Sequence, residues 1–292
     1  MSQVPPDAPP RGLIAPDARR HVFDEALGRA PARGRMQGRS VLVVGAGQQP
    51  FEGPPPAPLG NGRAIAMLCA REGASVACLD KDAANAAETV AMIDGESGRA
   101  FAVTADVSQP ADIERAVHET HRRFGALDAM VINVGIGGPA GLAAQTAETW
   151  DATFAVNLRA HMLFCKEAMP LFAPGSAIVF ISSTASLRPG TRIPSYDASK
   201  AALAGLCRHV ALEGEALGVR ANVLAPGPID TPLGRNASLR RPARASQRLP
   251  FGREGTAWEV AYTTLFLLSH ESSYVNAQVI VMDGGITGLQ LR

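Results

Sequence analysis

From Arg39 onward, short apolar runs alternate with longer amphipathic stretches, and this alternation constrains the fold more than any other feature of the chain. A parallel strand cannot be reached by a tight turn and needs a long crossover, so such alternation specifies βαβ units and a parallel sheet. The candidate strands are Ser40–Val44, Ser75–Leu79, Ala100–Thr104, Ala129–Asn133, Ala177–Ile181, Arg220–Leu224 and Val279–Met282. Helical stretches are predicted between them at Gly62–Glu72, Ala83–Ile93, Pro110–Phe124, Thr146–Phe172, Pro194–Leu217 and Ala257–Ser269. The strands are β-branched and apolar on both faces, as a sheet covered by helices on both sides requires. The expected architecture is α/β: a doubly wound, seven-stranded parallel sheet with helices on both faces, in a single domain of about 250 residues.

The residues ahead of this pattern read differently. Eleven of the 22 prolines precede residue 60, in a leader and in a cluster from Pro50 to Pro58, and proline at that density prevents regular ladders. Residues 1–35 are expected to form a Pro- and Arg-rich extension, a mobile or partner-clasping arm with one short helix over Asp17–Leu27, and residues 36–292 the folded domain. A net charge of +1 favours neither nucleic acid nor an anionic membrane as partner. No apolar run is long enough to span a bilayer, and no secretory h-region opens the chain, so a cytoplasmic protein is expected. Cys69, Cys78, Cys165 and Cys207 form no CxxC pair and read as reduced core thiols. His118 and His121 sit among Glu119, Arg122 and Arg123 on what reads as a solvated helix face, so no metal is expected.

Val41-Leu-Val-Val-Gly45-Ala-Gly47 is an apolar strand running into glycine, the place where a doubly wound sheet brings a pyrophosphate to backbone amides at a helix N-terminus. Gly60-Asn61-Gly62 then opens a helix, separated from Gly47 by an insertion, Gln48 to Leu59, that carries Phe51, Glu52 and three consecutive prolines. The insertion can bulge outward or narrow the phosphate site, and the retained glycines favour the first. At the end of the second strand, Asp80 can accept hydrogen bonds from ribose hydroxyls and repel a 2′-phosphate, which favours NAD and leaves NADP the less expected cofactor. The competing role for Asp80 or Asp82 is a helix N-cap. Asp106 and Val107 after the third strand, and Asn133 and Gly135 after the fourth, extend the series of strand ends along one ligand.

Tyr196-Asp-Ala-Ser-Lys200 supplies the chemistry. With three tyrosines and three lysines in the chain, a chance pair at this spacing is expected roughly 0.03 times. On a helix the two side chains share a face, and a fixed cation beside a phenol lowers its pKa toward the range of a general acid or base. Ser183, just past the strand Ala177–Ile181, projects from the carboxyl edge of the sheet, where a hydroxyl can stabilise a developing oxyanion; Ser182 is its rival.

Together these residues resemble the short-chain dehydrogenase/reductase family over about Arg39 to Gly285, in its branch with Ser and Tyr-x-x-x-Lys. The resemblance implies a Rossmann-type fold and an NAD(H)-dependent oxidoreductase acting on a secondary alcohol or ketone. In that role Ser183 polarises the carbonyl, Tyr196 exchanges the proton, and Lys200 binds the nicotinamide ribose. It also implies that Asn157 holds a water in a proton relay, that Pro226, Gly227, Ile229 and Thr231 form the turn facing the carboxamide, and that the subunits form a homotetramer or homodimer. The chain departs from the family in the proline-rich insertion and in Asn133-Val-Gly135 where Asn-Ala-Gly is commoner. An NADPH-dependent 3-oxoacyl-thioester reductase of the ketoacyl type is the runner-up, and a non-catalytic nucleotide-binding scaffold the alternative of a different class. An enoyl-thioester reductase would space tyrosine and lysine more widely. The polar stretch of about 231–256 corresponds to a substrate lid; its Arg235, Arg240, Arg241, Arg244, Arg248 and Arg253, with Arg188 and Arg192, raise the option of an anionic substrate.

Overall fold

The computed structural model describes residues 22–241 and 249–289. The first 21 residues, with the first five of the predicted Asp17–Leu27 helix, and Arg244 and Arg248 lie outside them; of the described residues 22–27 only Glu25–Leu27 forms a helical turn.

Seven strands form one parallel sheet in the order β3-β2-β1-β4-β5-β6-β9. They are β1 Ser40–Val44, β2 Ser75–Asp80, β3 Arg99–Thr104, β4 Leu127–Ile132, β5 Phe172–Ile181, β6 Arg220–Pro226 and β9 Val279–Met282. Two short strands, β7 Ile229–Asp230 and β8 Gly255–Thr256, pair with each other beyond the sheet. The helices are α1 Asn61–Arg71, α2 Ala83–Gly95, α3 Pro110–Phe124, α4 Ala147–Phe154, α5 Ala160–Ala168, α6 Pro194–Glu215, α7 Pro232–Arg240 and α8 Ala257–Leu268. The strand order reverses between β1 and β4, which pair from Val41↔Ala129 to Val44↔Ile132, so a crevice opens beyond their carboxyl ends.

Every residue of β1 is buried. Its alternate side chains feed two cores: Val41 and Val43 join α1 and α8 on one face, and Leu42 and Val44 join α3, α5 and α6 on the other. That division explains the continuous apolar pattern. Local signals set the helix starts. Asp82 caps α2 by accepting from the Ala84 and Asn85 amides, and Thr256 with Glu259 forms a capping box on α8.

The predicted helix Thr146–Phe172 is not continuous. It divides into α4, a π-helical turn at Ala155–Arg159, α5 and a 3-10 turn at Met169–Leu171, and Phe172 already belongs to β5. The proline at position 170 cannot donate a helical hydrogen bond, which favours the break there.

Residues 22–35 pack on the domain instead of extending from it. The fully buried Glu72, at the end of α1, accepts from the backbone amides of Arg33 and Arg35 and from the Arg35 guanidinium. Burial alone would raise the Glu72 carboxyl, but these bonds outweigh it and hold the group below its ordinary range. All four cysteines are buried and free, as their surroundings in the sequence suggest. His118 approaches Glu114 and Glu167 instead of His121, with ligand-type atoms of the three within 4.8 Å of one another, at a largely exposed position.

Candidate active site

Four of the residues singled out from the sequence meet at the carboxyl edge of β4 and β5. Tyr196 and Lys200 lie on the first turns of α6, where Pro194 occupies an N-terminal position that needs no amide hydrogen. The Lys200 ammonium is 5.9 Å from the centre of the Tyr196 ring and donates to the carbonyls of Ile181 (2.9 Å) and Val134 (3.2 Å). A Cβ on Gly135 would lie 3.0 Å from that ammonium, so glycine there lets the turn after β4 pass close to Lys200.

The two adjacent serines have separate duties. Ser182 is buried and its hydroxyl donates to the Lys200 carbonyl at 2.9 Å, which fastens β5 to α6. Ser183 caps the following 3-10 turn, accepting from the Ala185 amide at 3.1 Å, and its side chain interacts with the Tyr196 hydroxyl. Ser183 is the partly exposed member of the pair.

Asn157 occupies the π-helical turn and is fully buried. Its Oδ1 accepts from the Ile136 amide (2.8 Å), while its Nδ2 donates to the Ile136 carbonyl (3.0 Å) and to Ser199 Oγ (3.0 Å). The extra residue of such a turn turns the amide away from the helix, toward the loop after β4 and toward α6.

The expected lowering of the Tyr196 pKa by Lys200 does not hold in this structure. Desolvation raises the phenol above its ordinary value, the interaction with Ser183 opposes it, and the charge of Asp197 adds to the rise. Lys200 is itself buried, and burial brings it down from 10.5 to about 8. The low dielectric that isolates the pair disfavours both charged forms.

The first glycine turn fits a dinucleotide. Gly45 adopts a left-handed φ of +79°, and a Cβ on Gly62 would sit 1.8 Å from the Gly45 carbonyl oxygen, so strand and helix approach more closely than any side chain permits. Gly60 caps α1, leaving amides at the helix N-terminus, and Asn61 Oδ1 is buried there without a partner among the described residues. The insertion does not separate the two halves, because the Gly60 amide donates to Gln48 Oε1 at 2.9 Å and closes its neck.

At the next strand ends, Asp80 accepts from the Gly47 amide (3.0 Å) and the Asp82 amide (3.0 Å), and Asp82 takes the N-cap role, leaving Asp80 free of it. Asp106 is exposed, with one oxygen held by the Ser108 amide, whereas Val107 is buried in the core. Asn133 Nδ2 donates to the Gly45 carbonyl at 3.0 Å and braces the turn. Pro226 ends β6, Gly227 donates to the Met282 carbonyl, Ile229 is buried in β7, and the Thr231 hydroxyl caps α7.

The described arginines of residues 231–256 are committed within the protein. Arg235 pairs with Asp230, Arg240 with Glu52 and Arg253 with Glu259, while Arg241 donates to the Thr191 carbonyl and Arg188 to the Ile286 carbonyl. Three of the eight arginines that raise the option of an anionic substrate are thus ion-paired, whereas Arg188 and Arg241 donate to neutral carbonyls and keep their charge. A cavity of about 640 Å³ lies against Leu142, Pro189, Arg192 and Pro194, with largely apolar walls.

The sequence reading missed two features. The carbonyls of Val134 and Ile181 that hold Lys200 are backbone groups without any residue signature. His161 is fully buried beside Phe180, facing the backbone of Val156 and Ile132 without a hydrogen bond of normal geometry. Burial first, and the Lys200 charge second, hold its imidazole well below the ordinary range and therefore neutral.

Comparison with known proteins agrees with this architecture. A family model described as enoyl-(acyl carrier protein) reductase matches residues 58–287, beginning near the end of the insertion. The 3-oxoacyl-(acyl-carrier-protein) reductase of Thermotoga maritima is 32% identical over 254 residues, covering 86% of this chain and 99% of that protein. The 2-(R)-hydroxypropyl-CoM dehydrogenase of Xanthobacter autotrophicus is 36% identical over 239 residues, covering 79% of this chain and 95% of that one. Among solved structures, a short chain dehydrogenase from Burkholderia cenocepacia J2315 in complex with NADP superposes with a TM-score of 0.74 at 31% identity, covering 86% of this chain and 98% of that one. Matches of this extent, on a seven-stranded sheet that carries Ser183, Tyr196 and Lys200 at one edge, show that the chain belongs to the short-chain dehydrogenase/reductase family.

Proposed function

We propose that this oxidoreductase interconverts a secondary alcohol and a ketone with NAD(H) as its preferred cofactor. The observation that carries the reading is the grouping of Ser183, Tyr196 and Lys200 beside the β1/β4 crevice, with Asn157 bonded beneath them. When bound, the nicotinamide cofactor supplies the hydride donor or acceptor.

The chain's residues divide the remaining work. The Ser183 hydroxyl donates to the substrate oxygen and stabilises negative charge as it develops there. Tyr196 gives a proton to that oxygen in reduction and takes it back in oxidation. Lys200, cationic at neutral pH with a pKa of about 8, stabilises the phenolate that remains. Asn157, fixed by its bonds to Ile136 and Ser199, takes the family role of holding a water through which the proton is replaced. Gly45, Gly47, Gly60, Asn61 and Gly62 hold the diphosphate; Asp80 takes the adenosine ribose, Asp106 and Val107 the adenine, and Asn133 and Gly135 the middle of the dinucleotide. Pro226, Gly227, Ile229 and Thr231 face the carboxamide. A homotetramer or homodimer is the assembly we carry over from the family.

A second reading, an NADPH-dependent 3-oxoacyl-thioester reductase, is favoured by the Thermotoga relative and by the NADP-bound Burkholderia structure. Titration with NADH and NADPH distinguishes the two. In the enzyme so loaded, Tyr196→Phe should lower kcat by about a thousand-fold and leave the NADH Kd within about two-fold; substantial residual turnover removes Tyr196 from proton transfer.

A further inference from the structure

The insertion Gln48–Leu59 does not hang free, because its tip is bound to α7. The Glu52 amide donates to Asn236 Oδ1 at 3.0 Å, and Asn236 Nδ2 donates to the Pro50 carbonyl at 2.9 Å. Asn236, only 7% exposed, thus reads the backbone of the tip with both ends of its amide. The Glu52 carboxylate pairs with the Arg240 guanidinium through both its oxygens, and the Arg235 guanidinium lies 5.7 Å from the centre of the Phe51 ring. The other end of the loop is fixed at its neck by the bond between Gln48 and Gly60.

Topology turns these contacts into a consequence. The insertion leaves the sheet at the end of β1, and α7 follows the end of β6; β4 and β5 lie between them in the sheet. Three strand spacings make that crossing about 14 Å. The connection therefore runs over the carboxyl ends of β4 and β5, above the crevice where a doubly wound fold holds its dinucleotide.

We propose that Gln48–Leu59 is a strap that closes the cofactor cleft from above, and that the Asn236 and Arg240 contacts are the clasp that must open for the dinucleotide to enter or leave. This rests on the nicotinamide-cofactor reading given above. The strap governs exchange and leaves the reacting groups alone, since neither Asn236 nor Arg240 is among the residues assigned to substrate or cofactor. Because α7 carries the clasp and begins at the turn beyond β6, movement of the lid and release of cofactor are one event.

The test is the rate at which preformed NADH complex exchanges against excess NAD, followed by NADH fluorescence in stopped flow. Asn236→Ala removes two hydrogen bonds and should speed dissociation and association roughly ten-fold or more each, so that Kd changes less than either rate. The exposed ion pair gives a second route that does not depend on a buried side chain: Glu52→Arg should speed exchange, and Glu52→Arg with Arg240→Glu should restore it. Amide hydrogen exchange at residues 48–59 should slow on NADH binding in the wild type and respond less in Asn236→Ala. Wild-type and variant complexes that exchange at one rate would overturn the strap and leave the cofactor reading standing. If no form of the protein binds NADH or NADPH, the cofactor reading fails and takes the strap with it.

Discussion

Replacing Lys200 by methionine separates the cost of burying an ammonium from its use in the site. Lys200 is 3% exposed, and burial lowers its pKa from 10.5 to about 8. The folded value lies below the unfolded one, so between these limits the unfolded chain binds more protons and the stability linked to Lys200 rises with pH. That stability is fully present above about pH 10.5 and is lost as the pH falls through about 8. The full displacement corresponds to about 3.4 kcal/mol, of which the interval from about pH 7 to about pH 9 contains about 1.3 kcal/mol. A contribution of opposite sign begins near the top of this interval. The thiols of Cys69, Cys78 and Cys207 are pushed up from 9.0 to about 12 by burial, so they ionise first in the unfolded chain and lower stability above about pH 9. The variant retains the same thiols, and subtraction removes them. Urea denaturation of both proteins without cofactor, followed by circular dichroism at about pH 7, 8 and 9, should show wild-type minus variant stability increasing by about 1.3 kcal/mol across the range. A difference that stays flat with pH would refute the desolvation of this ammonium, and with it the account of why Tyr196 and Lys200 are both held toward their neutral forms.

Four further substitutions test the rest of the site. Asp80→Ala should move the ratio of kcat/KM for NAD over NADP toward NADP by about ten-fold, because a carboxylate that repels the 2′-phosphate is removed; an unchanged ratio places ribose recognition elsewhere. Gly62→Ala puts a methyl group 1.8 Å from the Gly45 carbonyl oxygen, so thermal or urea unfolding should show a loss of about 3 kcal/mol, and calorimetry a loss of NADH binding. Ser183→Ala should lower kcat about a hundred-fold or more with little change in melting temperature, whereas Ser182→Ala, which loses the bond to the Lys200 carbonyl, should cost about 1 kcal/mol of stability. The reverse pattern would exchange the roles of the two serines.

What the sequence discloses of this protein is what short-range physics encodes. Seven apolar runs predict seven strands to within a few residues at most boundaries, because a strand buried on both faces allows few polar interruptions. The largest miss there is β5, which begins five residues before its predicted start. The Tyr196–Lys200 spacing predicts a shared helix face because helical geometry is local. The division of Thr146–Phe172 is less legible, since a π-helical turn adds one residue without changing the apolar character of its surroundings. The bonds that Asn157 makes there reach 21 residues back to Ile136 and 42 residues on to Ser199. The raised Tyr196 pKa escaped for a related reason: the spacing reveals the neighbouring cation, but desolvation is set by everything packed around the pair.

The insertion shows the same limit most sharply. Read along the chain, a proline-rich loop between two phosphate-binding glycines either bulges away or obstructs, and nothing within those twelve residues decides between the two. The deciding contact is with Asn236, 184 residues beyond Glu52, and it leads to a third outcome: the glycine turn stays closed while the tip of the loop is bound to α7. The neck bond between Gln48 and Gly60 makes this possible, since it holds the two glycine segments together while the tip travels. An extension of the glycine turn can therefore be accommodated without dismantling the turn, provided that its neck closes and its tip finds a partner. On this chain both conditions are met by side-chain amides, Gln48 and Asn236, each accepting from a backbone amide of the glycine-rich segment or its insertion.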